Sequence, residues 1–320
     1  MRVSIIIPTL DRPLLLEAAI RSVLLQTRPV DEIIVVDDGS TRENLEANRE
    51  LAALSPSIRF ESLGGRRGVS AARNRGLEMA TGDAVVFLDD DDLLLPGMVE
   101  AGVGVLEKDG TVDVSACLAE VLFTPAGDGP CLPVSLLFDH RLMETHPLRF
   151  GSYGTPLPRA LLEERPVSAL LRHSIPVHSF VARRESIGDV RFPEGIRQGE
   201  DRQFWVTLAR KGCRFRLTEA VHVLIRRHGQ NTTLSLVQGA RDLQSFYDWV
   251  LGEPGVEDPL DRAFVRIHVA ILSLRRGDGM WLQQLGWMVA HPVSSARELR
   301  QYAERFLGGR RNLLRYYLRE

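Results

Sequence analysis

The sequence predicts an α/β fold, a mostly parallel β-sheet with helices on both faces, followed by a helical extension. Three observations carry that prediction. Through the first 120 residues, short β-branched and apolar runs alternate with longer stretches of helical period. Three of those runs end in acidic residues, as strands do when they deliver side chains to one edge of a sheet. Beyond residue 235 the pattern is helical almost throughout.

In chain order, Val3–Ile7 reads as a buried strand that Pro8 ends. Leu14 to Gln26 reads as a helix, with Pro13 in its first turn and Asp11 near its cap. Ile33–Val36 is a second strand and Arg42 to Leu54 a polar-faced helix. Ile58–Ser62 is a weaker strand, and Val69 to Ala80 a helix closed by Gly82. Ala84–Leu88 is a further strand and Pro96 to Lys108 a further helix. From about Val121 to Ile175, prolines and glycines are frequent and the period is poor, so these residues read as long connections beside a site. Order returns with a strand at Ser179–Arg183, a helix from Glu200 to Lys211, and two strands, Arg214–Leu217 and Val221–Arg226. The expected division is a catalytic domain over 1–235, with a first half to about residue 120 and a second from 121, and an extension over 236–320.

Composition narrows the function. Hydrophobic residues make up 44% and charged residues 26%, the balance of an ordinary globular protein. The net charge of -2 gives no ground for a nucleic-acid partner. Only Lys108 and Lys211 are lysines, so arginine supplies nearly all the basic charge, which reads as compositional bias. Cys117, Cys131 and Cys213 are too few and too unevenly spaced for a disulfide framework and are expected to be reduced thiols. No signal-peptide pattern and no apolar stretch of spanning length is present, so the expected location is cytoplasmic.

The chemistry lies in the acidic residues. Asp89, Asp90, Asp91 and Asp92 follow a buried strand, and four adjacent like charges are costly without a cation. Mg2+ and Mn2+ suit such oxygen ligands and are commonly shared with substrate phosphates. Asp37 and Asp38 end the second strand, and Asp11 follows the first. Glu200 and Asp201 open a helix, where the dipole alone favours acids. As a second acidic centre they could also supply a base for an incoming hydroxyl. His228, in Arg226-Arg227-His228, reads either as structural or as touching metal or phosphate.

Six stretches together resemble the family 2 glycosyltransferases: Ser4–Thr9, Ile33–Ser40, Gly68–Gly76, Phe87–Asp92 with Pro96, Gly199–Asp201 with Trp205, and Arg226–His228. They fall in the family's order and cover residues 3 to about 235. The resemblance implies the GT-A fold, with a Rossmann-like sheet, and an inverting sugar transfer from a nucleotide diphosphate donor, by family habit a UDP-sugar. Its acceptor would be the hydroxyl of a glycan or lipid-linked glycan, as in surface polysaccharide synthesis. It further implies that Pro8 and Thr9 line the base pocket and that Asp38 bonds the nucleobase, with Asp37 and Asp11 nearby. Arg73 and Asn74 would reach the base or diphosphate. Asp89 would lie near the ribose or sugar, and Asp91 would hold Mn2+ or Mg2+ with His228 beside it. Asp201 would be the base and Glu200 would hold a sugar. The family often has Asn where Asp11 stands, and the run of four aspartates leaves the register open by one residue, so that Asp90 and Asp92 could share the work. A nucleotidyltransferase would usually carry a Gly-rich loop with a lysine after the first strand, where Pro8-Thr9-Leu10-Asp11 stands instead. A catalytically inactive binding module would be expected to lose one acidic centre, and both are present.

The acceptor region is expected to include Pro176–Ser179. From Asp261 to Glu320, eleven arginines stand against five acidic residues, with aromatic residues between them. Such helices either pack on the catalytic domain or a second copy of the chain, or make peripheral contact with an anionic membrane surface.

Overall fold

A computed structural model of the chain describes residues 1–123, 149–152, 157–173, 175–196, 198–227, 245–252, 258–276 and 280–300. The chain divides into two compact units, Met1–Leu234 and Ser235–Glu320.

The first unit is built on one sheet with nine strands among the described residues. The strands are β1 (Val3–Thr9), β2 (Glu32–Asp37), β3 (Ile58–Ser62), β4 (Ala84–Phe87), β5 (Asp92–Leu94), β6 (Val114–Phe123), β7 (Arg149–Ser152), β8 (Phe180–Arg183) and β9 (Phe215–Arg227). Their order is β3-β2-β1-β4-β8-β6-β9-β5, with β7 on β6. β3, β2, β1 and β4 run parallel. β8 joins β4 and β6 antiparallel, and β6 and β9 pair in parallel. Every residue of β1 and β2 is buried, so both faces of the sheet are covered there, and this is why those strands read as mostly apolar runs without alternation.

The helices between these strands carry the cover. α1 (Pro13–Leu24) starts with proline at its first position and buries Leu15, Leu16, Ala19, Ile20 and Val23. α2 (Arg42–Glu50) is capped by the Thr41 hydroxyl, which accepts from the Asn44 amide. α3 (Val69–Met79) lies so close to β1 that a Cβ on Gly76 would stand 2.3 Å from Ile6 Cγ2. α4 (Met98–Lys108) buries Met98, Val99, Val103 and Leu106.

The structure differs from the sequence reading at several elements, among them the strand β6, which the reading did not include. Asp92 opens a short strand, β5, antiparallel to β9. Within the stretch expected to be connections stand β7 and two helices, α5 (Arg159–Glu164) and α6 (Pro166–Arg172). The two expected strands at 214–226 are one strand, β9. Its register against β6 shifts between Leu217 and Val221, and this bulge interrupts the alternation read from the sequence. A short helix, α7 (Arg184–Ile187), follows β8. α8 (Glu200–Arg210) runs under an aromatic cluster in which Phe192 stacks on Phe204 with ring centroids 4.1 Å apart.

The second unit is helical in its described residues, with helices at 245–252, Pro259–Arg276, Met280–Ala290 and 292–300. Arg266 lies over the Trp287 ring at 5.0 Å and donates to Gln284 Oε1, linking the second of these helices to the third. Among the described residues, no helix is long and apolar enough to cross a membrane.

Candidate active site

The carboxyl ends of β1, β2 and β4 converge, and the residues expected there are knit by hydrogen bonds across chain segments. Thr9, the last residue of β1, donates from Oγ1 to Asp90 Oδ2 at 2.7 Å. Its carbonyl accepts from the Asp38 amide. Asp37 accepts from the amides of Gly39 and Ser40 and from Asn48 Nδ2, so its carboxylate shapes the turn after β2. Asp38 accepts from the amides of Arg67 and Gly68, holding the loop that leads into α3. The two loops touch backbone to backbone at Gly39. Its φ is +88°, and a Cβ there would lie 2.5 Å from the Gly65 carbonyl carbon.

Asp11 has φ 56°, and the other non-glycine residues among those described keep φ negative. Its carboxylate repays that strain with bonds from the Thr41 amide, Asn44 Nδ2 and Arg66 Nη2. Asn74 pairs with the backbone of Phe192 in both directions, donating to its carbonyl and accepting from its amide. Pro8, the residue before Thr9, is likewise part of buried β1. Asp11, Asp37, Asp38 and Asn74 are thus engaged within the protein and fix the loops of the site.

The aspartate turn is held from behind. The Asp92 amide donates to Asp89 O, closing the turn. Asp92 Oδ1 accepts from the Arg226 amide on β9. The buried Arg226 guanidinium donates to the carbonyls of Asp90, Asp91 and Leu15. The carboxylates then divide. Arg12 lies 3.2 Å from Asp90 Oδ1 and 3.1 Å from Asp91 Oδ2. Burial raises the Asp90 pKa to about 7, with Asp91 beside it adding to the rise.

Asp89 and Asp92 face a histidine that the sequence reading counted only in the acceptor region. His178, in the turn Val177–Ser179 before β8, is buried. Its Nε2 is 3.4 Å from Asp92 Oδ2 and its Nδ1 is 4.0 Å from Asp89 Oδ2. Neither ring nitrogen has a hydrogen-bond partner. Burial pulls its pKa down to about 4, keeping the imidazole neutral and able to ligate. Two carboxylates and a neutral imidazole, with ligand atoms within 4.8 Å of one another, fit a divalent cation. His228 lies outside the described residues.

The second acidic centre meets the first through one side chain. Arg73, on α3, donates from Nη2 to Asp89 Oδ1 at 2.6 Å and from Nη1 to Glu200 Oε1 at 2.9 Å. It is almost wholly buried and lies over the Phe192 ring at 5.2 Å. Gly199, with φ 88°, caps α8 and presents Glu200 and Asp201 in its first turn. Burial raises the Glu200 pKa to about 7, and repulsion from Asp201 adds to this against the pull of Arg73. Burial raises Asp201 as well. Carboxylates so raised are suited to accept a proton.

The fold is the GT-A fold of solved glycosyltransferases. Residues 4–128 match the family model described as glycosyl transferase family 2. Over 97 residues the chain is 39% identical to a GalNAc(5)-diNAcBac-PP-undecaprenol beta-1,3-glucosyltransferase of Campylobacter jejuni, covering 30% of this chain and 31% of that protein. Over 127 residues it is 35% identical to the uncharacterized glycosyltransferase YibD of Escherichia coli, covering 40% and 36% of the two. The chain thus spans about a third of the length of these curated relatives. Among solved structures, the mannosyltransferase PcManGT of Pyrobaculum calidifontis, in complex with GDP-Man and Mn2+, matches over 95% of this chain and 80% of its own, with TM-score 0.59 and 19% identity. TarS 1–349 of S. aureus in complex with UDP-GlcNAc matches over 85% and 71%, with TM-score 0.56 and 19% identity. At that identity the likeness is one of fold.

Proposed function

We propose that the chain is an inverting glycosyltransferase that moves a sugar from a nucleoside diphosphate, UDP by preference, onto the hydroxyl of a glycan or lipid-linked glycan. The observation that carries this reading is the Arg73 bridge from Asp89 to Glu200, which brings two acidic centres far apart in sequence into one site. A transfer of this kind needs charge compensation for the departing diphosphate and a base for the attacking hydroxyl.

In this reading Asp201 accepts the proton of the acceptor hydroxyl. The hydroxyl oxygen forms the new bond to the anomeric carbon, and the bond from that carbon to the diphosphate breaks, its electron pair leaving with the nucleotide. A divalent cation, Mn2+ or Mg2+, supplies positive charge to the leaving diphosphate; Asp89, Asp92 and His178 would hold it, with Asp91 at the edge of the turn. Asp11, Asp37 and Asp38 hold the loops that frame the nucleoside beside Pro8 and Thr9, and Glu200, tied to Arg73, faces the sugar side. Surface-glycan synthesis is supported by the Campylobacter relative, a glucosyltransferase whose name carries an undecaprenol-linked glycan.

The test is release of nucleotide from a panel of sugar nucleotides with added acceptor glycans, with and without a chelator. Chelator-sensitive release that needs the acceptor supports the reading. Donor binding without turnover for any acceptor would favour a binding module, and release of pyrophosphate from a nucleoside triphosphate and a sugar phosphate would favour a nucleotidyltransferase.

A further inference from the structure

The apolar side chains of the second unit are not all covered. Leu282, Leu285 and Val289 on the helix Met280–Ala290 are 58%, 43% and 78% exposed, and Val293, just after it, is 83% exposed. Steps of three and four residues put the first three on one helical face. Around them Gln283, Gly286, Ala290, His291, Pro292 and Ala296 are exposed too. Between residues 280 and 300 the charged residues are Arg297, Glu298 and Arg300. Glu298 is buried and both arginines are exposed. Among the described residues from 280 to 300, the exposed charges are thus those of Arg297 and Arg300. In sequence, residues 301–320 continue the bias, with five arginines against Glu304 and Glu320, and Tyr302, Phe306, Tyr316 and Tyr317 among them.

We propose that the face formed by Leu282, Leu285, Val289 and Val293, with Arg297 and Arg300, docks on an anionic phospholipid bilayer. Apolar side chains enter the boundary between headgroups and acyl chains, while guanidinium groups stay with the phosphates. At 1.5 Å per residue an 11-residue helix is about 17 Å long, roughly half the hydrocarbon thickness, so it suits lying in the interface and not spanning it. Charge complementarity selects this occupant. A second copy docked symmetrically would set Arg297 and Arg300 against their own counterparts, whereas an anionic leaflet attracts both. The inference stands apart from the transfer reaction, since it uses no residue of the site.

The experiment is co-sedimentation of the full chain with vesicles of phosphatidylglycerol and phosphatidylcholine in equal parts, and with phosphatidylcholine alone, at low and high salt. The chain is expected to pellet with the mixed vesicles at low salt and far less with phosphatidylcholine. Leu285→Glu with Val289→Glu, and separately Arg297→Gln with Arg300→Gln, should each weaken binding by about tenfold or more. Circular dichroism and donor affinity should stay as in the parent chain. A parent chain that remains in the supernatant with mixed vesicles at low salt overturns the proposal. So does equal binding to phosphatidylcholine, or undiminished binding by both double variants. A dimer in sedimentation velocity that the Leu285→Glu, Val289→Glu variant dissociates, without vesicle binding, would assign the face to a second copy instead.

Discussion

Asp201 and the Asp89–Asp92–His178 cluster carry tasks that substitution separates. Asp201→Asn keeps the shape of the side chain and removes its capacity to take a proton. Donor affinity by calorimetry should persist while turnover falls by about two to four powers of ten; turnover near that of the parent chain would pass the role to Glu200. His178→Ala, by contrast, should weaken nucleotide binding in the presence of Mn2+ and leave metal-free binding unchanged, because its ring nitrogens have no hydrogen bond to lose. Asp91→Ala, the change the sequence reading favours, is the matched comparison. Its carboxylate pairs with Arg12. A loss of Mn2+-dependent binding in Asp91→Ala equal to that in His178→Ala would make it a ligand as well. His178 could not be singled out from sequence because it comes from a three-residue turn far along the chain from the aspartates. A lone histidine before a strand carries no metal signature.

At the scale of elements, the legible parts of the fold are those whose burial is uniform. β1, β2 and β4 are buried along their whole length because helices cover both faces, and the mostly apolar run that this leaves in each survives in sequence. β9 is less legible because its bulge breaks the period, and α5 and α6 because each is only six or seven residues long and they meet at Pro166. The parallel strands are also pinned at their starts. Glu32 accepts from Ser4 Oγ, from the amides of Thr81 and Gly82, and from Arg59. Burial alone would raise its pKa, but these bonds outweigh it and bring the value to about 2. A carboxylate held below its unfolded value stabilises the fold above about pH 4.5 and loses that contribution as pH falls toward 2. Glu32→Gln should therefore cost about 1–3 kcal/mol near neutrality, with the gap in Tm from the parent chain narrowing at about pH 3. A gap independent of pH would rule this account out. Gly76→Ala should destabilise by a similar amount, about 1–3 kcal/mol in denaturant titration, because its methyl would meet Ile6.

Over the whole molecule, the acidic residues were visible in sequence as separate groups, and what sequence could not supply was their meeting. That depends on one guanidinium of α3 reaching both the turn after β4 and the start of α8. The arrangement has a thermodynamic consequence. A single positive charge shared by two partners cannot serve either fully, so a ligand that alters Asp89 changes how strongly Arg73 holds Glu200, and the reverse holds equally. If the donor changes acceptor affinity by some factor, the acceptor must change donor affinity by the same factor. Arg73→Met would be expected to bring that factor close to one, measured as the ratio of donor dissociation constants with and without acceptor. Communication between the two substrates would then be written in the division of one cation between two anions, with no movement of the backbone required.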